Sequence, residues 1–311
     1  MIVENFNNCK ICEEDVVNDS HYYREHKITL ADYFVKYFNR KDLYTGETLE
    51  FKNKEQYLAA DFSNKNNLKK YIKEIHPDKA RDYCVNLLKN RKNIKNLIYA
   101  PTQVELKSII SPTIITYNRL FPAGYYDLCN KLGFKQRFNC QTLKNPLLEP
   151  EIPKDAVIEV DTREQAVLKL KTDIEIKKLN FGDYYSKNYF NIYIERKSLN
   201  DFIGTFSQGL ERFCRELDRA QKEKAYIVIL VENTLNECAN FNCLPWVSRR
   251  IKAKPDFILH NVRSILQKYL NCQFVFVDGR KEAVNLLEKI FFSGLDFRAF
   301  DIQLMRDLKL L

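Results

Sequence analysis

The stretch from Phe181 to Asp201 decides the predicted fold. It reads Phe-Gly-Asp-Tyr-Tyr-Ser-Lys-Asn-Tyr-Phe-Asn-Ile-Tyr-Ile-Glu-Arg-Lys-Ser-Leu-Asn-Asp. Aromatic and β-branched residues on both sides of a polar turn predict two β-strands. Asp183 opens the first strand, and Glu195 and Lys197 end the second. Because residues two apart on a strand point the same way, Glu195 and Lys197 share a face and Arg196 lies on the opposite one.

Two carboxylates beside an ammonium group suit the metal-assisted hydrolysis of a phosphodiester. Asp183 and Glu195 can hold a hard divalent cation through oxygen ligands. Such an ion stabilises developing negative charge and lowers the pKa of its bound water. The Lys197 ammonium can orient that water or neutralise the extra charge. The stretch therefore predicts a magnesium or manganese site.

The same residues carry a resemblance to a known family. One block follows the pattern G-D-x(n)-E-R-K-x-x-x-D, and a block V-D-x-R-E precedes it; together they comprise Val160, Asp161, Arg163, Glu164, Gly182, Asp183, Glu195, Arg196, Lys197 and Asp201. Residues from about 156 to 293 thus resemble the nuclease domain of the XPF family, also called the ERCC4 domain, a branch of the PD-(D/E)xK nucleases. Asp201 has a competing role, since Ser198 three residues earlier can cap the next helix with it.

The resemblance implies a role for each residue of the two blocks. Asp183 and Glu195 would bind Mg²⁺ or Mn²⁺, and Lys197 would position the water. Asp161 and Glu164 would complete the catalytic acidic cluster. Arg163 and Arg196 would hold the scissile DNA strand or brace the site. Carboxylates that converge in this way repel each other, so some of their pKa values should be raised without metal.

Strands and helices alternate through the rest of this segment. Predicted strands such as Val157–Asp161 and Ala225–Val231 are interleaved with helices, including a basic helix from Glu211 to Lys222 whose Arg212 is predicted to face phosphate. This order indicates an α/β restriction-endonuclease-like core, a mixed sheet flanked by helices, over residues 156–295. Residues 145–155, which are rich in proline, form the predicted linker, and residues 296–311 the C-terminal tail.

The N-terminal 30 residues carry a Cys/His pattern. Cys9 and Cys12 are followed by His21 and His26. Thiolate and imidazole ligands in this ratio suit tetrahedral Zn²⁺. We therefore predict a small structural zinc finger, within a mainly α N-terminal region, that folds the N-terminus or contacts protein rather than DNA.

Two further segments precede the linker. Residues 31–100 form a basic α/β segment of unknown fold, and from Lys27 to Ala100 sixteen Lys and Arg stand against nine Asp and Glu. Residues 101–144 predict three short helices with helix-turn-helix geometry. They resemble the small helical repeats of homing endonucleases and related phage proteins. On that resemblance Thr113, Thr116 and Arg119 would contact DNA; a helical packing module without base contacts is the alternative.

The composition is that of a folded protein with a polyanionic partner. Apolar residues make up 45% of the chain, and the formal net charge is +9. We expect DNA as the partner, no membrane contact and a possible homodimer through the nuclease domain. Nine cysteines without a signal peptide favour reduced thiols and an intracellular location. This would be the cytoplasm of a bacterial or virus-infected host, or the nucleus of a eukaryote.

Three functions remain open on the sequence. The first is a metal-dependent endodeoxyribonuclease of homing type, aimed by its N-terminal half. The second is a structure-specific nuclease that acts on forks, flaps or junctions. The third is a catalytically silent DNA-binding scaffold, which the retained acidic residues disfavour. XPF-type enzymes carry a helix-hairpin-helix pair after the nuclease domain; residues 295–311 are too short for it, so we do not expect the family's preference for branched DNA to carry over directly.

Overall fold

The computed structural model describes residues 9–14, 20–28, 33, 77–109, 112–138, 143, 145–248 and 251–311. The chain divides into two compact units, residues 1–96 and residues 97–311. Most of the predicted basic segment 31–100 lies outside the described residues. Across the described part of the chain, no helix combines the length and the apolar character needed to cross a membrane.

In the first unit, two helices are described. Helix α1 spans Ser20–His26 and helix α2 spans Pro77–Lys95. The buried Tyr33 packs against Tyr22 with ring centroids 4.0 Å apart, and its hydroxyl accepts a hydrogen bond from the Lys10 amide at 2.6 Å. These contacts fix the loop that carries Cys9 and Cys12 against α1.

The second unit contains a six-stranded mixed sheet. Its strands are β1 (Val157–Asp161), β2 (Asp173–Lys177), β3 (Tyr184–Ser186), β4 (Ile192–Lys197), β5 (Tyr226–Val231) and β6 (Cys272–Phe276). The order across the sheet is β2-β1-β3-β4-β5-β6. The β1–β3 and β3–β4 pairs are antiparallel and the β1–β2, β4–β5 and β5–β6 pairs parallel. The predicted mixed α/β sheet is confirmed.

Helices cover both faces of this sheet. The helices of this unit are α3 (Gln103–Ile109), α4 (Ile114–Leu120), α5 (Gly124–Lys131), α6 (Leu199–Thr205), α7 (Leu210–Lys222), α8 (Leu235–Ala239), α9 (Pro255–Lys268), α10 (Gly279–Phe292) and α11 (Ile302–Asp307). One core holds side chains of α6 to α9, and the other holds side chains of α10 and α11. Alternate residues of β5 point into the two cores, as a strand buried on both faces requires.

Helix α4 begins later than the sequence suggests. The sequence predicts Ser111 as N-cap and Pro112 as the first helical residue, whereas the helix begins at Ile114 with Thr113 as N-cap. Thr113 makes no side-chain capping bond; instead the Ile114 amide donates to Gln103 Oε1 at 3.2 Å. The amide of the first helical residue, Ile114, is thus capped by a side chain 11 positions earlier in the chain.

The helices α3 to α5 belong to the same compact unit as the sheet. The Gln103 amide donates to Asp301 Oδ2 at 2.8 Å, and Lys107 pairs with Asp307 at 2.8 Å. Val104 lies within the core of α6 to α9. The residues predicted as a C-terminal tail therefore anchor α3, with Ile302 and Met305 buried.

Candidate active site

The strand β4 places its last three residues as the sequence predicts. Tyr193 packs against the core of α6 to α9, so Glu195 and Lys197 face the same side, and Arg196 faces the other. Glu195 and Lys197 form a direct ion pair, and each side chain is 12% exposed. Burial alone would lower the pKa of Lys197, but the Glu195 charge raises it above its usual value.

Asp183 lies beside this pair because of a tight turn at Gly182. Gly182 has φ +59°, and a Cβ there would come within 2.9 Å of the Ile194 carbonyl oxygen. The Asp183 amide donates to that same carbonyl at 2.8 Å, and Asp183 Oδ2 accepts the Arg196 amide at 2.7 Å. A residue with a side chain at position 182 would displace this carboxylate.

The electrostatics of Asp183 are those of a crowded acidic site. Burial and the neighbouring Glu195 charge raise its pKa to about 8, against the opposing Arg196 amide and Lys197 charge. The prediction that some carboxylate pKa values are raised without metal is confirmed here. A divalent cation would neutralise this surplus charge.

Asp161 and Glu164 have different surroundings. Arg163 donates to Asp161 from its amide at 2.8 Å and from Nε at 2.6 Å, and the Leu179 amide donates to it at 2.8 Å. Burial opposes ionisation, but these bonds lower the pKa of Asp161 below its usual value. Glu164 is likewise buried, and Arg196 lowers its pKa. Both carboxylates are held as anions by arginines.

Arg196 forms a buried ion triad on the opposite face of β4. Its Nε and Nη2 donate to Glu164 at 2.9 Å each, and its Nη1 donates to Glu232 at 2.9 Å. The side chains of Arg196, Glu164 and Glu232 are 9%, 5% and 9% exposed. Of the two roles that the sequence leaves open for Arg196, this geometry is that of a brace.

The other sequence-predicted residues lie at separate places. Asp201 is exposed, and its amide and Oδ2 both bond Ser198 Oγ at the start of α6, which is the capping arrangement. Arg212 is exposed on α7. On α4, Thr113 and Thr116 are half-buried and Arg119 is exposed. The structure thus brings Asp183, Glu195 and Lys197 together, while the residues of α4 belong to a different surface element.

Helix α7 adds a carboxylate that the sequence analysis missed. Glu216 accepts a hydrogen bond from the Gly182 amide, and burial together with the Glu195 charge raises its pKa. Lys197 and Arg219 oppose that rise. A signal was present in the sequence, since Glu216 falls between the buried Phe213 and Ala220 at helical spacing. Glu216 therefore holds the turn that carries Asp183.

The acidic site fits a cation that retains water. In the described ranges, the four residues of the Cys/His pattern are the one group of three or more His, Cys, Asp or Glu side chains whose ligand atoms lie within 4.8 Å of one another. The acidic site thus offers one or two converging carboxylates. Mg²⁺ is commonly held in this way, with several waters completing its octahedron.

The Cys/His cluster itself is compact. Cys9 Sγ lies 3.2 Å from His26 Nε2, and Cys12 Sγ lies 3.4 Å from His21 Nε2. Burial alone would raise the pKa of Cys9, but hydrogen bonds from the Cys12 and Ile11 amides and from His21 lower it to about 6. Four ligand atoms within 4.8 Å of each other suit a tetrahedral ion.

Two kinds of known protein resemble this chain, solved structures and a family model. Two solved structures of XPF from Aeropyrum pernix resemble this chain, one of them in complex with DNA. They share 21% and 22% identity over 43% and 44% of this chain, with TM-scores of 0.32 and 0.33. The match spans 63% of the length of each of those chains. No curated protein sequence matches.

A family model gives the assignment. The ERCC4 domain model matches residues 160–290, a range that contains Asp161, Asp183, Glu195, Lys197 and Glu216. Residues 160–290 of this chain therefore form an ERCC4 domain, and the candidate active site lies within it.

Proposed function

We propose that this protein is a metal-dependent DNA endonuclease that hydrolyses phosphodiester bonds at the site formed by Asp183, Glu195 and Lys197. The observation that carries the proposal is the buried pairing of Glu195 with Lys197 beside an Asp183 whose pKa is raised to about 8. Buried acidic groups with perturbed pKa values are typical of catalytic sites.

Each residue has a distinct task in this proposal. Asp183 and Glu195 hold Mg²⁺ or Mn²⁺, which when bound supplies charge neutralisation at the phosphate and a more acidic water. Lys197 Nζ, next to Glu195, orients the attacking water and carries positive charge towards the phosphate. Asp161 and Glu164 keep Arg163 and Arg196 in place, and Glu216 holds the Gly182 turn.

Selection of DNA by shape is the targeting mode that we favour. Helix α3 packs on the nuclease unit through Gln103, Lys107 and Val104, so the segment that begins with it is joined to that unit rather than extending from it as a separate reading module. A nuclease without a separate reading module would choose its DNA by shape, and forks, flaps and junctions are the DNA shapes that we propose. The homing-type enzyme is the second candidate, and the exposure of Arg119 at the end of α4 favours it.

A structural zinc ion completes the proposal. Cys9, Cys12, His21 and His26 would hold Zn²⁺ in the N-terminal unit, because their ligand atoms already cluster. Binding would stabilise a short segment with a small core of its own, as zinc does in small domains. A homodimer through the nuclease domain remains part of the proposal on the family resemblance.

The test is a cleavage assay with a matched pair of variants. Wild type, Asp183→Asn and Asp173→Asn would be incubated with Mg²⁺ or Mn²⁺, using a labelled fork and a blunt duplex that shares one of its strands. Asp173 is an exposed residue of the edge strand β2, so its substitution controls for the loss of one charge. We expect wild type and Asp173→Asn to cut the fork and Asp183→Asn to leave it intact.

The alternatives give different results in the same assay. Cutting of duplex at discrete sequences, with forks treated alike, would support the homing-type enzyme. Equal cutting by Asp183→Asn and wild type would refute the assignment of the active site. If wild type cuts none of these DNAs with either ion, the result supports the third function, a catalytically silent DNA-binding scaffold.

A further inference from the structure

The turn from Leu244 to Val247 carries an exposed tryptophan. The Val247 amide donates to the Leu244 carbonyl at 3.2 Å, which places Pro245 and Trp246 at the two central positions. Proline suits the first of these positions because its φ is fixed. Val247 is buried and Leu244 packs against the core, yet Trp246 is 64% exposed. An anchored turn therefore holds this indole in solvent.

The turn lies in the segment between β5 and α9, in the unit that carries the active site. Strands β4 and β5 are parallel, and Lys197 pairs with Val231 at their carboxyl ends. Helix α9 ends just before β6, which starts beside Ile227 at the amino end of β5. A helix of 14 residues and a strand of six are each about 20 Å long. The beginning of α9 therefore lies near the carboxyl ends of β4 and β5, and the turn belongs to the segment that connects this end of β5 to α9.

The surroundings of Trp246 in the chain are basic. Lys252 and Lys254 are exposed between this turn and α9. The acidic residues closest to Trp246 in sequence are Glu237, in α8, and Asp256, in the first turn of α9. An exposed aromatic ring in a basic loop matches the chemistry of single-stranded nucleic acid, whose backbone is anionic and whose bases have apolar faces.

We propose that Trp246 stacks on an unpaired base of the DNA that the neighbouring active site cuts. The face of a base is open to an indole ring where the base has left the duplex or stands at its end. Stacking would thus favour substrates with single-stranded nucleotides beside the scissile bond, such as forks and flaps. The inference rests on the proposed nuclease function and extends it to the class of substrate.

The chain allows a direct test because Trp246 is its single tryptophan. Tryptophan fluorescence of the full chain carrying Asp183→Asn, which protects the DNA, would be followed while a fork or a matched blunt duplex is added. Anisotropy of labelled DNA would give the affinities in parallel. We expect the fork to quench the fluorescence over the same concentrations that raise the anisotropy, and the duplex to quench it much less.

Variants then separate stacking from folding. In the same background, Trp246→Ala should bind the fork about 5- to 150-fold more weakly, the range found for loss of one stacked base, with duplex affinity unchanged. Trp246→Phe keeps an aromatic ring and should recover part of the loss. Leu148→Ala, at another apolar side chain that is 86% exposed, should leave both affinities unchanged.

Two results would overturn the inference. Fork binding without a change in fluorescence would show that no base reaches the indole. Equal weakening of fork and duplex binding by Trp246→Ala would show that the ring does not discriminate unpaired bases. A separate measurement, DNA cleavage by wild type with metal present, tests the nuclease proposal itself. If wild type cuts DNA while the fluorescence of the bound protein is unchanged, stacking alone is refuted.

Discussion

The buried triad of Arg196, Glu164 and Glu232 leads to a prediction that separates a bracing role from a DNA-binding role. Arg196→Ala removes three charge-assisted bonds of 2.9 Å and leaves two buried carboxylates on one side of the sheet. Removal of one partner from a buried ion pair costs about 3–5 kcal/mol of unfolding free energy. For a unit spanning residues 97–311, each kcal/mol lowers Tm by about 2–4 °C.

We therefore expect Arg196→Ala to lower Tm by about 6–20 °C. The assay is thermal unfolding followed by circular dichroism. Arg212→Ala is the matched control, since Arg212 is an exposed arginine of α7 and its loss should leave Tm unchanged. The triple variant Glu164→Gln, Arg196→Met, Glu232→Gln should regain much of the lost stability, because none of the three positions then holds an unpaired buried charge.

A small thermal effect would refute this reasoning. If Arg196→Ala unfolds within about 2 °C of wild type, a shift of 1 kcal/mol or less, the triad does not brace the site. If the folded variant also binds DNA much more weakly, Arg196 contacts the scissile strand, as the family resemblance allows. A loss of stability with unchanged DNA affinity, measured well below Tm, supports the brace.

Three other substitutions test the remaining parts of the molecule. Lys197→Met should lower kcat by about 10²–10³-fold with little change in fork affinity, because Lys197 acts in the transition state; single-turnover cleavage measures this. Burial raises the pKa of Asp301 to about 6. The folded state therefore binds a proton that the unfolded state does not, and the stability that this proton contributes is lost as the pH rises to about 6. The Tm of Asp301→Asn relative to wild type should thus increase between about pH 4 and 6, and a constant difference would contradict this sign. Cys12→Ser should remove one equivalent of zinc per chain, measured by elemental analysis; unchanged zinc content would exclude Cys12 as a ligand.

Local rules made much of the ERCC4 domain predictable. The two-residue period of β4 separates Glu195 and Lys197 from Arg196, and the observed contacts follow that division. The positive φ of Gly182 and the cap formed by Ser198 and Asp201 depend on neighbours within a few residues. Strand boundaries were less predictable: the residue pattern predicts a strand from Tyr189 to Glu195, whereas β4 spans Ile192–Lys197. The Tyr189 hydroxyl bonds the Leu295 carbonyl, far away in the chain.

The sequence by itself determined the identities and spacing of Asp183, Glu195 and Lys197, because periodicity and turn chemistry act over short distances. Tertiary structure alone decided the contacts between segments that are far apart in the chain. Glu216 reaches the Gly182 amide through the packing of α7, and Gln103 meets Asp301 across 198 positions of the chain. The exposure of Trp246 was decided in the same way, because its neighbours Leu244 and Val247 contact the core and the indole does not. Burial and charge pairing depend on which segments pack together in the fold. The spacing of residues along the chain does not indicate which distant segments these are.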